Sequence, residues 1–250
     1  MPPVADLLAY AASPRADAAR SQLAAACAAT GMSVRLEVLG SGALYQRLGP
    51  RRVAPAPDLV WWFGPFAARA AAADGLVQDV RMLESAAVGA VGPDATSVAQ
   101  VAEVPRLALA DPERSEVGMA ILLAMLDRVR QAQGDVEQGW TWWQQRATAG
   151  VVLTEDDAGA LAVVQSGAAS HALTLSSDGA PLGDLAPVPH AVALASNSRN
   201  MDDATRLLEW LTSRSSGQAS SSLDIDWCTQ NYLAVRQRWA GSGFSPSLSG

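Results

Sequence analysis

Short apolar segments alternate with helix-forming segments along the first hundred residues, and this order constrains the fold more than any other feature. Apolar runs at residues 7–10, 34–38 and 58–63 predict strands, because each is short and the second alternates apolar with polar side chains. Helices are predicted at residues 14–29 and 65–73, and another ends at Leu48. Strands separated by helices predict an α/β fold with a mainly parallel sheet, whose ligand lies beyond the carboxyl ends of the strands.

The same alternation continues through the second part of the chain. Thr154 is predicted to cap one helix, with acidic residues 155–157 in its first turn. A Gly- and Pro-rich connector at residues 176–189 then leads back towards the first part. The remaining predicted strands are residues 106–110, 151–153, 172–175 and 190–195, and the remaining predicted helices are residues 115–130, 135–147, 154–166, 202–213 and 232–239.

Two serine-bearing turns follow the first two strands. Ser13 stands directly before the first helix, and Ser41 and Gly42 lie in the turn that opens the second. Helix N-termini carry unpaired backbone N–H groups and the positive end of the helix dipole. Two of them at one sheet edge predict a site for a small polar or anionic solute, which indicates binding rather than catalysis.

Two adjacent tryptophans, Trp61 and Trp62, end the third strand. Alternation along a strand sends them to opposite faces of the sheet, so one is expected in the core. The other could line a ligand cleft and hold a cationic or apolar group, by cation–π attraction of about 0.5–2 kcal/mol. The alternative, that flanking helices cover both, carries equal weight.

Composition excludes several classes of function. A net charge of −7 and a pI near 4.8 argue against nucleic acid as a partner. The chain has no lysine, which excludes Schiff-base chemistry, and no nucleophile elbow, phosphate loop or two-histidine metal motif. His171 and His190 each begin a strand and are interpreted as structural. We therefore expect no enzyme activity, no cofactor and no metal.

The two cysteines, Cys27 and Cys228, are too few and too far apart in sequence for a zinc motif. Buried free thiols are favoured over a disulfide, which would need an oxidising compartment. No apolar run is long enough to span a membrane, and residues 1–6 lack the features of a secretory signal. Either a signal was removed or the protein stays inside the cell.

Five phrases, in this order, resemble the type 2 periplasmic solute-binding proteins of ABC importers. They are residues 39–44, residues 56–62 ahead of 75–77, residues 107–112, residues 162–169 and residues 204–218. The resemblance covers nearly the whole chain. It implies a two-lobed fold, with residues 1–90 and 190–250 in lobe I and residues 91–189 in lobe II. It also implies a monomeric protein outside the cell membrane that closes by a hinge over a small solute and delivers it to a permease.

The first part of the chain resembles the molybdate-binding group, whereas residues 139–157 resemble the ferric-iron, phosphonate and thiamine group. In molybdate binders, serines of the first two turns donate hydrogen bonds to the oxyanion, and Ser13 and Ser41 match them. In the second lobe, Ser115 and Thr154 match ligand contacts by position, and Thr174 lies where the family carries a tyrosine. Iron coordination by an adjacent tyrosine pair is not expected, because none of the three tyrosines is next to another.

Two alternatives stay open. If residues 155–157 face the ligand, a cationic or zwitterionic solute fits better than an anion, because carboxylates repel an anion. If no signal segment precedes the chain, an intracellular ligand sensor with the same fold replaces the transport component.

Overall fold

The structure is a computed structural model that describes residues 6–12, 16–40, 44, 47–49, 55–94, 96–175, 180–214 and 222–244. Leu44, Arg47 and Leu48 are helical. The strands are β1 Asp6–Ala12, β2 Ser33–Leu39, β3 Leu59–Trp62, β4 Val77–Ala86, β5 Val88–Val91, β6 Leu107–Ala110, β7 Val151–Thr154, β8 His171–Leu175, β9 Ala180–Pro181 and β10 Val188–Ala195. The other helices are α1 Ala16–Thr30, α2 Pro65–Ala73, α3 Val98–Glu103, α4 Glu116–Gln133, α5 Glu137–Gly150, α6 Asp157–Gln165, α7 Met201–Arg214 and α8 Ile225–Gly241.

The chain divides into two compact units, each built on one five-stranded sheet. The first unit comprises residues 1–84 and 189–219, and the second comprises residues 85–188 and 220–250. Strand and helix alternate as the sequence predicts, and the α/β fold class is confirmed. Four described elements have no counterpart among the predicted ones: β4, β5, α3 and β9, at residues 77–86, 88–91, 98–103 and 180–181.

The first sheet has the strand order β2-β1-β3-β10-β4. β1 runs parallel to β2 and to β3, whereas β10 runs antiparallel to β3. The carboxyl ends of the three parallel strands therefore share one edge of the sheet, where Ala12 pairs with Leu39. The sheet is mixed rather than purely parallel, because β10 follows a crossing of the chain from the second unit and not a βαβ connection.

The second sheet repeats this arrangement with the order β7-β6-β8-β5-β9. β6 is central and parallel to both β7 and β8, and β5 is antiparallel to β8. Each sheet thus places three parallel carboxyl ends along one edge, with one antiparallel strand beside them.

One face of the first sheet packs on α1 and α7. Trp61 and Leu59 of β3 lie in this core with Leu23 of α1. The predicted apolar stripe of α7 is confirmed, since Ala204, Leu207, Leu208 and Leu211 are all buried there. Full burial of one leucine side chain contributes about 1.5–3 kcal/mol, so this stripe fixes α7 on the sheet.

The core of the second unit surrounds β6 and α4. All of β6 is buried, and the first twelve residues of α4 are buried as well. Gly118 lets the helix approach the strand, because a Cβ there would lie 2.0 Å from the carbonyl oxygen of Ala110. A larger residue at this position would separate the start of α4 from the end of β6.

The C-terminal helix differs from its prediction in both length and place. It begins at Ile225 rather than at residue 232, because Asp224 caps it by accepting a hydrogen bond from the Trp227 N–H at 2.9 Å. It packs on α4 in the second unit, where Arg130 of α4 pairs with Asp224 at 2.7 Å. The expectation from the family resemblance was instead that all of residues 190–250 lie in the first lobe. The buried side chains of α8 that decide its place are Cys228, Tyr232, Val235 and Trp239.

Both cysteines are free, so the disulfide alternative is wrong. Cys228 is buried, whereas Cys27 is only half-buried. Burial, followed by the nearby charges of Asp127 and Asp224, raises the pKa of the Cys228 thiol. Among the described helices, none combines the length and the apolar character that crossing a membrane requires.

Candidate functional site

The carboxyl edge of the first sheet is the site that the sequence predicts. β1 and β2 end side by side, at Ala12 and Leu39, which are paired in the parallel register. In the sequence, Ser13 follows Ala12 directly and Ser41 follows Leu39 by two residues. Ser13, Ser41 and Gly42 lie outside the described residues, so their contacts with a ligand stay predictions. The described strands nevertheless start both serine-bearing turns from neighbouring points of one edge.

The third turn at this edge follows β3 and opens α2. Gly64 stands at the N-cap position with a φ of 83°, a left-handed conformation that favours glycine. No side chain caps the helix, and Pro65 occupies its first turn. The start of α2 is therefore formed by backbone alone.

The two tryptophans that end β3 are both buried, on opposite faces of the sheet. Trp61 is 1% exposed and lies in the core with α1 and α7. Trp62 is 0% exposed, and no described residue accepts a hydrogen bond from its indole N–H. The structure thus matches the alternative in which both side chains are covered. Among the described residues, the Trp62 indole N–H at the carboxyl end of β3 thus has no acceptor.

The carboxyl edge of the second sheet is organised by Asp111, which follows β6 and is 3% exposed. Its backbone N–H donates to the Thr154 carbonyl at 2.8 Å, which ties the ends of β6 and β7 together. Its Oδ1 accepts from the Trp239 indole N–H at 3.0 Å and from the Glu113 N–H at 3.0 Å. Asp111 therefore fixes the turn between β6 and α4 and joins it to α8.

Ser115 lies in this turn and caps α4. Its hydroxyl oxygen accepts from the Gly118 N–H at 3.4 Å, and the residue is 4% exposed. The sequence prediction that a helix starts here is confirmed. The cap bond uses one lone pair of the hydroxyl oxygen and orients the side chain, so the hydroxyl hydrogen stays available to a ligand.

Thr154 is the last residue of β7 and does not cap the following helix, which corrects the sequence interpretation. Asp156 is the cap of α6, since its Oδ1 accepts from the Gly159 N–H at 2.8 Å. The Thr154 hydroxyl lies 2.8 Å from the Asp156 carbonyl and 3.3 Å from the Leu109 carbonyl. Its single proton thus has internal acceptors, which leaves mainly the oxygen lone pairs for other contacts.

Thr174 and Asp157 meet at the same edge. Thr174 is fully buried near the end of β8, and its hydroxyl lies 3.5 Å from Oδ2 of Asp157. Asp157 is half-buried in the first turn of α6, whereas Glu155 and Asp156 are exposed. One of the three acidic residues thus turns towards the strand ends. The sequence predicts one role for all three acidic residues. In the structure their roles differ, because Asp156 caps α6 and Asp157 faces Thr174.

The two histidines contact protein groups. The His171 ring lies between the Pro93 carbonyl, 2.8 Å from Nε2, and the Ser170 hydroxyl, 3.0 Å from Nδ1. His190 is 1% exposed, and its ring centroid lies 4.9 Å from that of Phe63. Within the described ranges, no three His, Cys, Asp or Glu side chains are grouped so that they could hold a metal ion.

The family assignment rests on a sequence match that spans most of the chain. The model of the bacterial extracellular solute-binding protein family matches residues 7–219. The chain belongs to this family. Members of the family are binding proteins rather than enzymes, and their solutes are captured outside the cell. No curated protein sequence matches the chain.

Solved structures show that this solute-binding protein has the fold of the type 2 periplasmic binding proteins. The substrate-binding domain of a putative molybdenum ABC transporter from Clostridium difficile superposes with a TM-score of 0.60 at 17% identity, over 84% of this chain and 93% of that one. The apo ferric ion-binding protein A of Pasteurella haemolytica superposes with a TM-score of 0.74 at 12% identity, over 98% of this chain and 100% of that one. The sulfate-binding protein of Mycobacterium tuberculosis superposes with a TM-score of 0.69 at 14% identity, over 93% of this chain and 91% of that one. At these identities the likeness establishes the fold alone.

Proposed function

We propose that this solute-binding protein captures a small polar or anionic solute at the carboxyl edge of its strands and delivers it to an ABC permease. The observation that carries the proposal is the pairing of Ala12 with Leu39, which starts the Ser13 and Ser41 turns from adjacent strand ends. Two hydroxyl donors beside two helix starts suit an oxyanion, which accepts several hydrogen bonds at once. Gly42 would leave room for the solute to approach the backbone.

The second sheet supplies further candidate contacts at its own carboxyl edge. Ser115 and Thr174 are buried at this edge. Thr154, which lies between them in the sequence, is the last residue of β7. Trp62, with its unsatisfied indole N–H, is a candidate donor in the first unit. Solutes named for proteins of the same fold include molybdenum, ferric ion and sulfate. Among these, a molybdate-like oxyanion agrees best with serine donors and with tyrosines that are not adjacent.

The first experiment is a thermal-shift screen of the purified protein after unfolding and refolding to remove bound solute. The panel contains molybdate, tungstate, sulfate, phosphate, phosphonates, ferric citrate, thiamine and polyamines. A ligand at about 100 times its dissociation constant adds roughly 2.7 kcal/mol to the free energy of unfolding. Stabilisation by one oxyanion class supports the proposal, and stabilisation by thiamine or polyamines alone contradicts it.

The site itself is tested with Ser13→Ala and Ser41→Ala combined. Hydrogen bonds to a charged acceptor contribute about 1.5–3 kcal/mol each, so the double variant should bind the oxyanion at least about 100-fold more weakly by titration calorimetry. Ser213→Ala is the matched control, because Ser213 is an exposed serine whose hydroxyl donates to the Trp210 carbonyl of its own helix. Unchanged affinity in the double variant would place the solute elsewhere.

A second candidate function, binding of a cationic or zwitterionic solute, is favoured by Asp157. Its carboxylate faces Thr174 at the strand ends, where an anion would be repelled. Asp157→Asn should weaken the binding of a polyamine or zwitterion and strengthen that of an oxyanion, whereas the exposed Asp135→Asn should change neither. The direction of the change therefore distinguishes the two candidates.

The place of action is tested by fractionation of the native cells. A solute carrier for a permease is expected outside the cytoplasmic membrane. Recovery from the cytoplasm alone would instead support the intracellular sensor.

A further inference from the structure

A polar cavity of about 360 Å³ opens on the first unit, at the edge opposite the strand carboxyl ends. Asp6 begins β1, Asp58 directly precedes β3, and Asn197 lies two residues after the buried end of β10. Because β10 is antiparallel to β3, the end of β10 lies beside the starts of the parallel strands. The polar lining residues of this amino-edge cavity are Asp6, Arg35, Asp58, Asn197, Arg199 and Asn200. Its volume falls in the range of small-molecule sites.

The floor of the amino-edge cavity is a rigid hydrogen-bond network centred on Asp58, which is 3% exposed. Asp58 Oδ2 accepts from the Leu8 N–H at 2.8 Å, and its Oδ1 accepts from the Ser198 hydroxyl at 2.6 Å. The Asn200 amide nitrogen lies 3.4 Å from the same Oδ1. These bonds fix the loop at residues 197–200 against the start of β1. The cavity is thus preformed rather than a gap between mobile segments.

Among the charged side chains that line the cavity, Arg35 and Arg199 are cationic and Asp6 and Asp58 are anionic. Asp58 keeps its negative charge, because the groups that donate to it are neutral, but at 3% exposure it offers little carboxylate surface to a ligand. Arg199 is exposed and forms no ion pair within the described residues, and Arg35 lies 3.3 Å from Glu37 in an exposed pair. Exposed pairs of this kind are weak, so the Arg35 guanidinium can exchange partners at little cost. Of the exposed charges in the lining, two are therefore guanidiniums and one is a carboxylate, that of Asp6.

We propose that the amino-edge cavity is a second ligand site, which takes a compact anion with a carboxylate or phosphate group. Arg35 and Arg199 supply the charge, and the amides of Asn197 and Asn200 supply neutral donors. Arginine is suited to this role, because its planar fork matches both oxyanion types. The site is independent of the proposed transport function, since it lies at the other edge of the sheet and uses none of the serine-bearing turns.

The test measures labelled phosphate by equilibrium dialysis, with succinate as the competing carboxylate. The protein carries Ser13→Ala and Ser41→Ala throughout, so that loss of the proposed transport site cannot be mistaken for loss of this one. Arg35→Gln and Arg199→Gln should each weaken binding about tenfold, as expected for one charge-assisted hydrogen bond. Asp6→Asn should strengthen binding about threefold, because it removes a like charge.

The controls are Arg20→Gln and Asp17→Asn, which change an exposed ion pair on α1 of the same unit and should leave binding unchanged. Equal effects of the control and the cavity variants would show a general charge effect and overturn the proposal. Absence of phosphate and succinate binding at millimolar concentration would also overturn it. Competition by succinate alone identifies a carboxylate ligand, and retention of phosphate against succinate identifies a phosphate.

Discussion

At the residue scale, burial raises the pKa values of two side chains on α8, Tyr232 and Cys228. Tyr232 is 6% exposed, and burial, followed by the charge of Glu116, raises its pKa from 10.0 to about 12. The pKa of the Cys228 thiol is raised as well, for the same main reason. Both groups are held neutral in the folded protein, whereas in the unfolded chain they ionise at their ordinary pKa values.

This difference predicts a loss of stability in alkali. Because the folded pKa exceeds the unfolded one, the stabilisation is complete below the unfolded pKa and is lost as the pH rises towards the folded pKa. The Tyr232 contribution is therefore lost between about pH 10 and pH 12 and amounts to roughly 3 kcal/mol, at about 1.36 kcal/mol per pKa unit. The free energy of unfolding of the wild type, measured in urea, should begin to fall near pH 9, because the Cys228 thiol ionises in the unfolded chain. For Cys228→Ala the fall should begin near pH 10. If the two proteins show the same dependence of stability on pH, Cys228 is not responsible for the earlier loss.

At the element scale, caps and one buried acid determine where helices begin and what they pack on. Asp127 of α4 is 1% exposed and accepts hydrogen bonds from Arg130 at 2.7 Å and from the Asp224 N–H at 2.9 Å. Arg130 in turn pairs with Asp224 at 2.7 Å and stacks over Trp227 at 4.9 Å. The start of α8 is therefore attached to α4 by a network in which each charge has a partner.

Removal of one member of this network should be costly. Asp127→Ala leaves Arg130 partly buried without the more deeply buried of its two carboxylate partners, which is expected to lower the free energy of unfolding by about 3 kcal/mol. Asp17→Ala breaks an exposed pair on α1 and should cost less than about 1 kcal/mol. Urea denaturation followed by tryptophan fluorescence compares the two. Similar losses in both variants would show that the Asp127 network adds nothing beyond a surface pair.

At the scale of the whole molecule, charge and surface character set the behaviour in solution. The chain carries a net charge of −7, and among the described residues Leu233, at 57% exposure, is the one large hydrophobic side chain that is exposed. A charged surface without a large apolar patch disfavours self-association. Each unit buries its own core around its own sheet.

We therefore expect a monomer. Sedimentation equilibrium at physiological salt should give the 26.0 kDa of one chain across the accessible concentration range. A mass that rises towards twice this value with concentration would contradict the prediction. Measurement at higher salt is the control, since screening would reveal any association that charge repulsion suppresses.

The elements that the sequence predicts well have local signals. The helix at residues 65–73 is bounded by Pro65 and by Asp74–Gly75, and the structure places α2 at the same residues. The stripe of α7 repeats at helical spacing. Thr154 and α8 show where local signals fail. Thr154 and Asp156, two residues apart, could each cap α6, and the hydrogen bond from the Gly159 N–H selects Asp156. The first turns of α8 were not predicted. Their start depends on a tertiary contact, in which the Asp224 N–H donates to Asp127 of α4.

By itself, the sequence determined the α/β class, the solute-binding family, the order of most elements and the placing of two serines within two residues of strand ends, because each depends on neighbouring residues. Only the tertiary structure decided which strands are antiparallel, which unit holds α8, that both tryptophans of β3 are covered and that Asp157 rather than Glu155 faces Thr174. The amino-edge cavity belongs to the same group, since its lining comes from residues 6, 35, 58 and 197–200. Packing brings these segments together, and no local pattern encodes contacts between residues so distant in the chain.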